Sequence, residues 1–316
     1  MKLAVLDDYH DYARRFADFG PDCDVTVFRD PIAPEALAET LAPFDALCVM
    51  RERTPLPASL IEALPNLRLI VTTGMRNLSI DSAAAKARGI TLCGTASRTP
   101  ATTQLAMTLI LMATRNILPN LAAVNAGGWQ ADAGRDLDGL TLGLIGLGRL
   151  GALMAQMARP FGMKIIAWSE NLTPERCAEV GVRHAESLDA LLSQADVASI
   201  HLVLSERTRG LIGAAELAAM KPDAVLVNTS RGPIVDEAAI VPALRAGTPG
   251  CVALDVFDTE PLPADHVLRD SALIEAGRLI LSPHIGYGAL QTFQIMYEEA
   301  GEDVRAYLAG DPVRVI

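Results

Sequence analysis

Paired cysteines are missing from this sequence of 316 residues. Its five cysteines, Cys23, Cys48, Cys93, Cys177 and Cys251, are odd in number, dispersed and never spaced as Cys-x-x-Cys. That pattern speaks against a disulfide scaffold and against a thiolate metal site, so no metal is expected. It reads as reduced thiols filling the core of a cytoplasmic protein. A basic surplus is missing too. The formal net charge is -11 and the pI is near 4.9, which argues against non-specific nucleic-acid binding and against docking on an anionic membrane. The acidic residues are scattered rather than blocked, as on a solvated surface. No apolar stretch reaches the ~20 residues of a membrane span; Thr99–Thr114 falls short. The opening Met1–Asp8 reads as a short buried strand rather than a secretory signal. Neither an internal repeat beyond strand–helix alternation nor a low-complexity segment is present.

What is present is apolar residues, 50% of the chain, enough for two ordinary domains with well-buried sheets. Short apolar runs alternate with helix-length amphipathic segments in two series. The first comprises Leu3–Leu6, Val25–Phe28, Ala46–Met50, Leu69–Val71 and Ile90–Leu92, with helices expected over Pro34–Leu41, Pro57–Leu64 and Ile80–Ala87. The second comprises Leu142–Ile145, Ile165–Trp168, Val197–His201, Ala224–Asn228, Cys251–Asp255 and Leu279–Leu281. Strands separated by helices imply parallel sheets covered on both faces, and six strands complete a doubly wound domain. Between the series, Pro100–Leu118 predicts one long apolar helix buried in an inter-domain or subunit interface. A final helix over Ala289–Leu308 is expected to return to the first domain.

The most informative segment runs from Leu142–Ile145 into Gly146-Leu147-Gly148-Arg149-Leu150-Gly151 and on into a helix. Three glycines alone could form a simple turn. Here a strand precedes them, a helix follows, and the next strand arrives on schedule. In that setting Gly146 allows the tight turn, Gly148 admits a pyrophosphate to the backbone, and Gly151 lets the helix pack on the strand. Free N–H groups at the helix N-terminus face the phosphates.

Ligands in open α/β sheets sit beyond the carboxyl ends of the strands. With the order 3-2-1-4-5-6, three neighbouring strands end in Asn228-Thr229-Ser230-Arg231-Gly232, in Asp255–Pro261 and in Ser282-Pro283-His284-Ile285-Gly286. Arg231, Glu260 and His284 then converge. A guanidinium grips a carboxylate, a histidine gives a proton to a carbonyl oxygen, and an acid supports the imidazolium, as hydride transfer to a 2-keto acid requires. Plainer readings stand beside these: Arg231 paired with Asp236 or Glu237, and Glu260 as a turn residue before Pro261. His201, ending the third strand of the series, falls on the adenosine side and reads as structural. His10, His184 and His266 carry no recognisable chemistry.

Together the glycine loop, Asn228–Gly232, Leu254–Phe257 with Glu260-Pro261, and Pro283–Gly286 resemble the signature set of the D-isomer-specific 2-hydroxyacid dehydrogenases, in the family's order and over essentially the whole chain. The resemblance implies a Rossmann cofactor domain over 99–287, inserted into a flavodoxin-like substrate-binding domain of 1–98 plus 288–316, and a homodimer built on the cofactor domain. It implies an oxidoreductase moving a hydride between a nicotinamide cofactor and a small-molecule D-2-hydroxy acid or 2-keto acid. Arg231 would bind the substrate carboxylate, His284 would be the acid/base, and Glu260 would hydrogen-bond it. Asp255 would lie near the nicotinamide amide and Thr229 near the nicotinamide half, with Arg149 and Leu150 facing the pyrophosphate. The loop Thr73-Gly74-Met75-Arg76-Asn77 would hold substrate through backbone N–H groups, and Arg51 falls where some members place a substrate-facing arginine. Arg51 and Arg76 equally suit solvated loop charges.

Two departures matter. Where many members end the second strand of the cofactor domain in an acid, this chain has Ser169, followed by Glu170. No arginine directly follows, so NAD is the expected cofactor, with NADP not excluded. With Ile316 as the last residue, the added regulatory domain of some phosphoglycerate dehydrogenases is not expected. A corepressor-like, NAD-sensing protein of the same family keeps the same triad and is the alternative of a different class. A formate dehydrogenase would pair the histidine with glutamine, which Glu260 opposes.

Overall fold

The computed structural model describes residues 1–98 and 100–316 and divides into two compact units, Met1–Arg98 with Ala289–Ile316, and Thr99–Gly288. The expected domain start at Thr99 lies outside the described residues.

In the first unit, strands β1 (Lys2–Val5), β2 (Asp24–Val27), β3 (Ala46–Val49), β4 (Leu69–Thr72) and β5 (Thr91–Gly94) form an all-parallel sheet in the order β2-β1-β3-β4-β5. That is the flavodoxin-like order. The central strands β3 and β4 are buried along their whole length, which is why they read as unbroken apolar runs. On the sheet packs the helix Leu290–Leu308, which buries Phe293, Met296, Tyr297, Ala300 and Val304. Arg314 then donates to the buried Asp303 at 2.9 Å, and Arg314–Ile316 runs antiparallel beside β5.

In the second unit, β6 (Thr141–Ile145), β7 (Lys164–Trp168), β8 (Arg183–His184), β9 (Val197–Ile200), β10 (Val225–Asn228), β11 (Cys251–Leu254) and β12 (Leu279–Leu281) form an all-parallel sheet ordered β12-β11-β10-β9-β6-β7-β8. Apolar clusters cover both faces, with Leu142, Val225 and Ala253 directed to one and Ile145, Leu226 and Leu254 to the other. Each fully buried Leu or Ile contributes about 1.5–3 kcal/mol.

Two expectations are corrected here. Seven strands replace six, because β8 is only two residues long and carries no apolar run. The extra strand takes the edge beyond β7, so the Val197–Ile200 strand, expected on the adenosine side, instead pairs with β6 on its opposite side. The long Pro100–Leu118 helix is in fact two, Pro100–Thr114 and Ile117–Asn125, bent by 66°. The break falls at Asn116, in the left-handed region at φ +49°. A loop fills the corner: Arg135 N–H donates to Thr114 O at 2.6 Å, and Asn116 Nδ2 donates to Ala133 O at 3.0 Å. The first of these bonds satisfies a carbonyl that a continuous helix would have paired internally. Among the described residues no single helix is long and apolar enough to cross a membrane.

Candidate active site

The glycine loop follows β6. Gly146 sits at φ +104°, and a side chain there would meet His201 O at 2.7 Å. Its N–H donates to Trp168 O at 2.8 Å, tying the turn to the end of β7. Gly151 packs so closely that a Cβ would collide with the Gly146 carbonyl, whereas the same atom on Gly148 would point into open space. No side chain caps the following helix, Arg149–Ala158, so the first-turn N–H groups of Arg149, Leu150 and Gly151 have no side-chain acceptor. Below the loop His201 is packed against Ser199, with Oγ and Nε2 3.0 Å apart, and burial pushes its imidazole down to about 4. It is neutral at pH 7 and puts no charge under the loop.

Whether these residues suit a dinucleotide can be judged from three features. A phosphate has room over Gly148, the helix N-terminus supplies a positive dipole end, and the buried Thr229 hydroxyl has no partner of its own. They fit. Ser169 directly follows β7, its carbonyl accepting from Leu172 N–H at 2.9 Å, and Glu170 beside it is exposed.

Acid and base chemistry collects at the neighbouring ends of β10, β11 and β12. Asn228 closes β10: its Oδ1 accepts from Ser230 N–H at 3.0 Å and its Nδ2 donates to Arg231 O at 2.9 Å. This fixes the turn that carries Arg231, whose Nη1 donates to Ser230 O at 2.7 Å. After β11, Asp255 is buried. Its Oδ1 accepts from the Ser282 hydroxyl at 2.6 Å and from Ile285 N–H at 2.9 Å, and its Oδ2 accepts from Gly286 N–H at 2.7 Å. Burial pushes its carboxyl up, against the downward pull of those three donors. Asp255 thus straps down the segment beyond β12 that begins at His284.

His284 Nδ1 lies 2.5 Å from Glu260 Oε2, while Glu260 Oε1 accepts from Phe257 N–H at 2.9 Å. A carboxylate can only accept, so the shared proton assigns Nδ1 as the donor of this pair. Both side chains keep about a fifth of their surface open, 21% and 23%. The Tyr287 ring stands edge-on to the imidazole with centroids 5.9 Å apart. The sequence assigns no role to Tyr287, and it names Asn228 only as part of a strand-end segment. The available signals were position: Tyr287 falls three residues after His284, and Asn228 is an Asx-turn residue at a strand end.

The first unit gathers its own group at the carboxyl ends of β3 and β4. Arg51 N–H donates to Thr73 Oγ1 at 3.0 Å, and an Arg51 guanidinium nitrogen lies 3.0 Å from where a Cβ on Gly74 would be. Asn77 Nδ2 donates to Arg51 O and to Thr72 Oγ1, the latter at 3.0 Å. Gly74 N–H is engaged by Thr95 Oγ1 at 3.1 Å, while Met75 and Arg76 are exposed. Arg51 and Gly74 are therefore brought together.

These features define a doubly wound dinucleotide-binding protein with a histidine–carboxylate acid/base pair on the same carboxyl-terminal edge of the sheet as its glycine loop. The model of the D-isomer specific 2-hydroxyacid dehydrogenase, NAD binding domain, matches residues 107–286, and the chain belongs to that family. It is 33% identical over 300 residues to a glyoxylate reductase of Thermococcus litoralis, covering 91% of this chain and 88% of that protein. It is 34% identical over 295 residues to D-3-phosphoglycerate dehydrogenase of Mycobacterium tuberculosis, covering 92% of this chain but 52% of that protein. The chain thus spans about half the length of that curated relative. A solved phosphoglycerate oxidoreductase from Vibrio cholerae superposes with a TM-score of 0.91 at 35% identity, over 98% of this chain and 99% of that one. All three relatives carry the names of enzymes, which does not favour the NAD-sensing alternative.

Proposed function

We propose that the chain is an NAD-dependent oxidoreductase that interconverts 2-keto acids and D-2-hydroxy acids. The 99–287 segment serves as cofactor domain, and 1–98 with 288–316 as substrate domain. The 2.5 Å contact between His284 and Glu260 carries the reading, because it orients the imidazole and holds a countercharge against its protonated form. Bound nicotinamide supplies or accepts the hydride. His284 Nε2 gives a proton to the substrate carbonyl oxygen in reduction and takes one from the hydroxyl in oxidation. Arg231 grips the substrate carboxylate in a bidentate pair, and Arg51 with the Gly74–Arg76 backbone serves a second anionic or polar group. On the cofactor side Gly146, Gly148, Arg149, Leu150 and Gly151 hold the pyrophosphate. Ser169 faces the adenosine ribose, while Thr229 and Asp255 serve the nicotinamide half.

The relatives named for glyoxylate and phosphoglycerate point to small, polar keto acids. A panel of glyoxylate, hydroxypyruvate, its phosphorylated form and bulkier 2-keto acids, each with NADH and NADPH, tests activity and cofactor together. NADH consumption with at least one small acid is expected, and none above the His284→Gln background ends the proposal.

The same reading includes a homodimer and a cytoplasmic location. Support for the first comes from the Ile117–Asn125 helix and the segment after it, where Leu121, Val124 and Trp129 are 55%, 51% and 76% exposed. Leu121→Glu should convert dimer to monomer in sedimentation velocity. The location accords with five free, dispersed thiols.

A further inference from the structure

We propose that Glu237 and His266 act as positioning residues for the Glu260 carboxylate; the inference rests on the proposal that Glu260 works through His284. Glu237 opens the helix Glu237–Ala246 but does not cap it, since Asp236 accepts the Ala238 N–H at 3.1 Å and fills that role. It is nonetheless buried, at 6% exposure, where a carboxylate needs a reason to be. Its Oε1 accepts from Asp258 N–H at 2.8 Å, and its Oε2 faces His266 Nε2 at 3.2 Å. His266 Nδ1 accepts from Leu268 N–H at 3.3 Å, so the neutral ring carries its proton on Nε2, aimed at Glu237.

Two amides in succession, Phe257 and Asp258, are thereby held by two different carboxylates, Glu260 and Glu237. Beneath them Gly232, next to Arg231, lies so close that any Cβ would collide with the Phe257–Asp258 backbone. A displacement of Asp258 therefore disturbs both the Glu260 carboxylate and the turn carrying Arg231. The charged neighbours of Glu237 are Asp258, Glu260 and His266, and Asp258 in turn faces Arg209 and Asp236. Burial pushes Glu237 up, opposed by the Asp258 amide and His266.

The test compares Glu237→Ala, Glu237→Gln and His266→Ala in the wild-type and Glu260→Ala backgrounds. Glu237→Ala should lower kcat about 10- to 100-fold with KM for NADH and keto acid nearly unchanged. Glu237→Gln keeps an acceptor for the Asp258 amide and should recover to within about 3-fold, so position is separated from charge. In the Glu260→Ala background, Glu237→Ala should add less than about 2-fold. A readout independent of turnover is the proton resonance of His284 Nδ1, expected downfield in wild type and Glu237→Gln and lost in Glu237→Ala. If wild type turns over no keto acid, the functional reading fails while this resonance still decides the positioning. His266→Ala should show a smaller loss with the same coupling, and it decides the matter should Glu237→Ala not fold. An unmoved resonance, or equal losses in both backgrounds, overturns the proposal.

Discussion

His284 stands at φ +51°, a left-handed conformation that residues with side chains seldom adopt, and the two N–H groups after it are both taken by Asp255. The imidazole is therefore aimed by backbone bonds as much as by Glu260. Two substitutions separate aim from chemistry. His284→Gln removes the proton carrier and should lower turnover at least ~10²-fold while NADH affinity, read by fluorescence quenching, stays nearly intact. Near-normal turnover would remove His284 from its role. Asp255→Asn keeps the shape but turns an NH2 group toward N–H donors whichever way the amide flips. It should cost about 1–3 kcal/mol in urea unfolding and lower kcat as the His284 segment loosens. A variant as stable as wild type would mean that the strap is not needed.

Strand and helix together form the cofactor loop, and its glycines do different jobs. Gly151→Ala forces Cβ against the Gly146 carbonyl, so the Arg149–Ala158 helix must lift from β6 and both stability and NADH affinity should fall. Gly148→Ala meets no protein atom within 4 Å and should leave the thermal midpoint unmoved, yet weaken NADH about 10-fold or more where a pyrophosphate comes close. Equal effects of the two on melting would contradict this division. The same elements explain what the chain revealed before its structure. The apolar strands, the glycine loop and the Glu260–His284 pair were legible because period, motif and strand-end position each leave a local trace. Strand β8 left none, since Arg183–His184 is two polar residues with no apolar run, and losing it from the count moved β9 to the wrong side of β6. The bend at Asn116 was missed because apolar residues resume at Ile117-Leu118 and its cause lies in a loop near residues 133–135. Glu237 resembled a helix-start acid, and only its burial against Asp258 sets it apart.

At the scale of the whole molecule two buried titrating groups, one in each unit, work against each other as pH changes. In the second unit the His201 imidazole is lowered to about 4, so below its unfolded value of 6.5 the unfolded chain binds the extra proton. Its contribution is complete above pH 6.5 and is lost as pH falls toward 4. In the first unit burial lifts Asp303 to about 6, with Glu299 and Glu302 adding to the rise and Arg314 opposing it. One of its oxygens has no partner. Here the folded state binds the proton more tightly, so the contribution is complete below 3.8 and is lost as pH rises through 6. Each effect is on the order of 3 kcal/mol across its window, and their signs are opposite. Relative to wild type, His201→Asn should therefore gain stability as pH falls from 6.5 to 4.5, and Asp303→Asn should gain as pH rises from 4 to 6. Urea unfolding at four pH values, with strand amide exchange followed separately in the two units, measures both slopes. Parallel slopes for the two variants would show that burial does not set these protonation states.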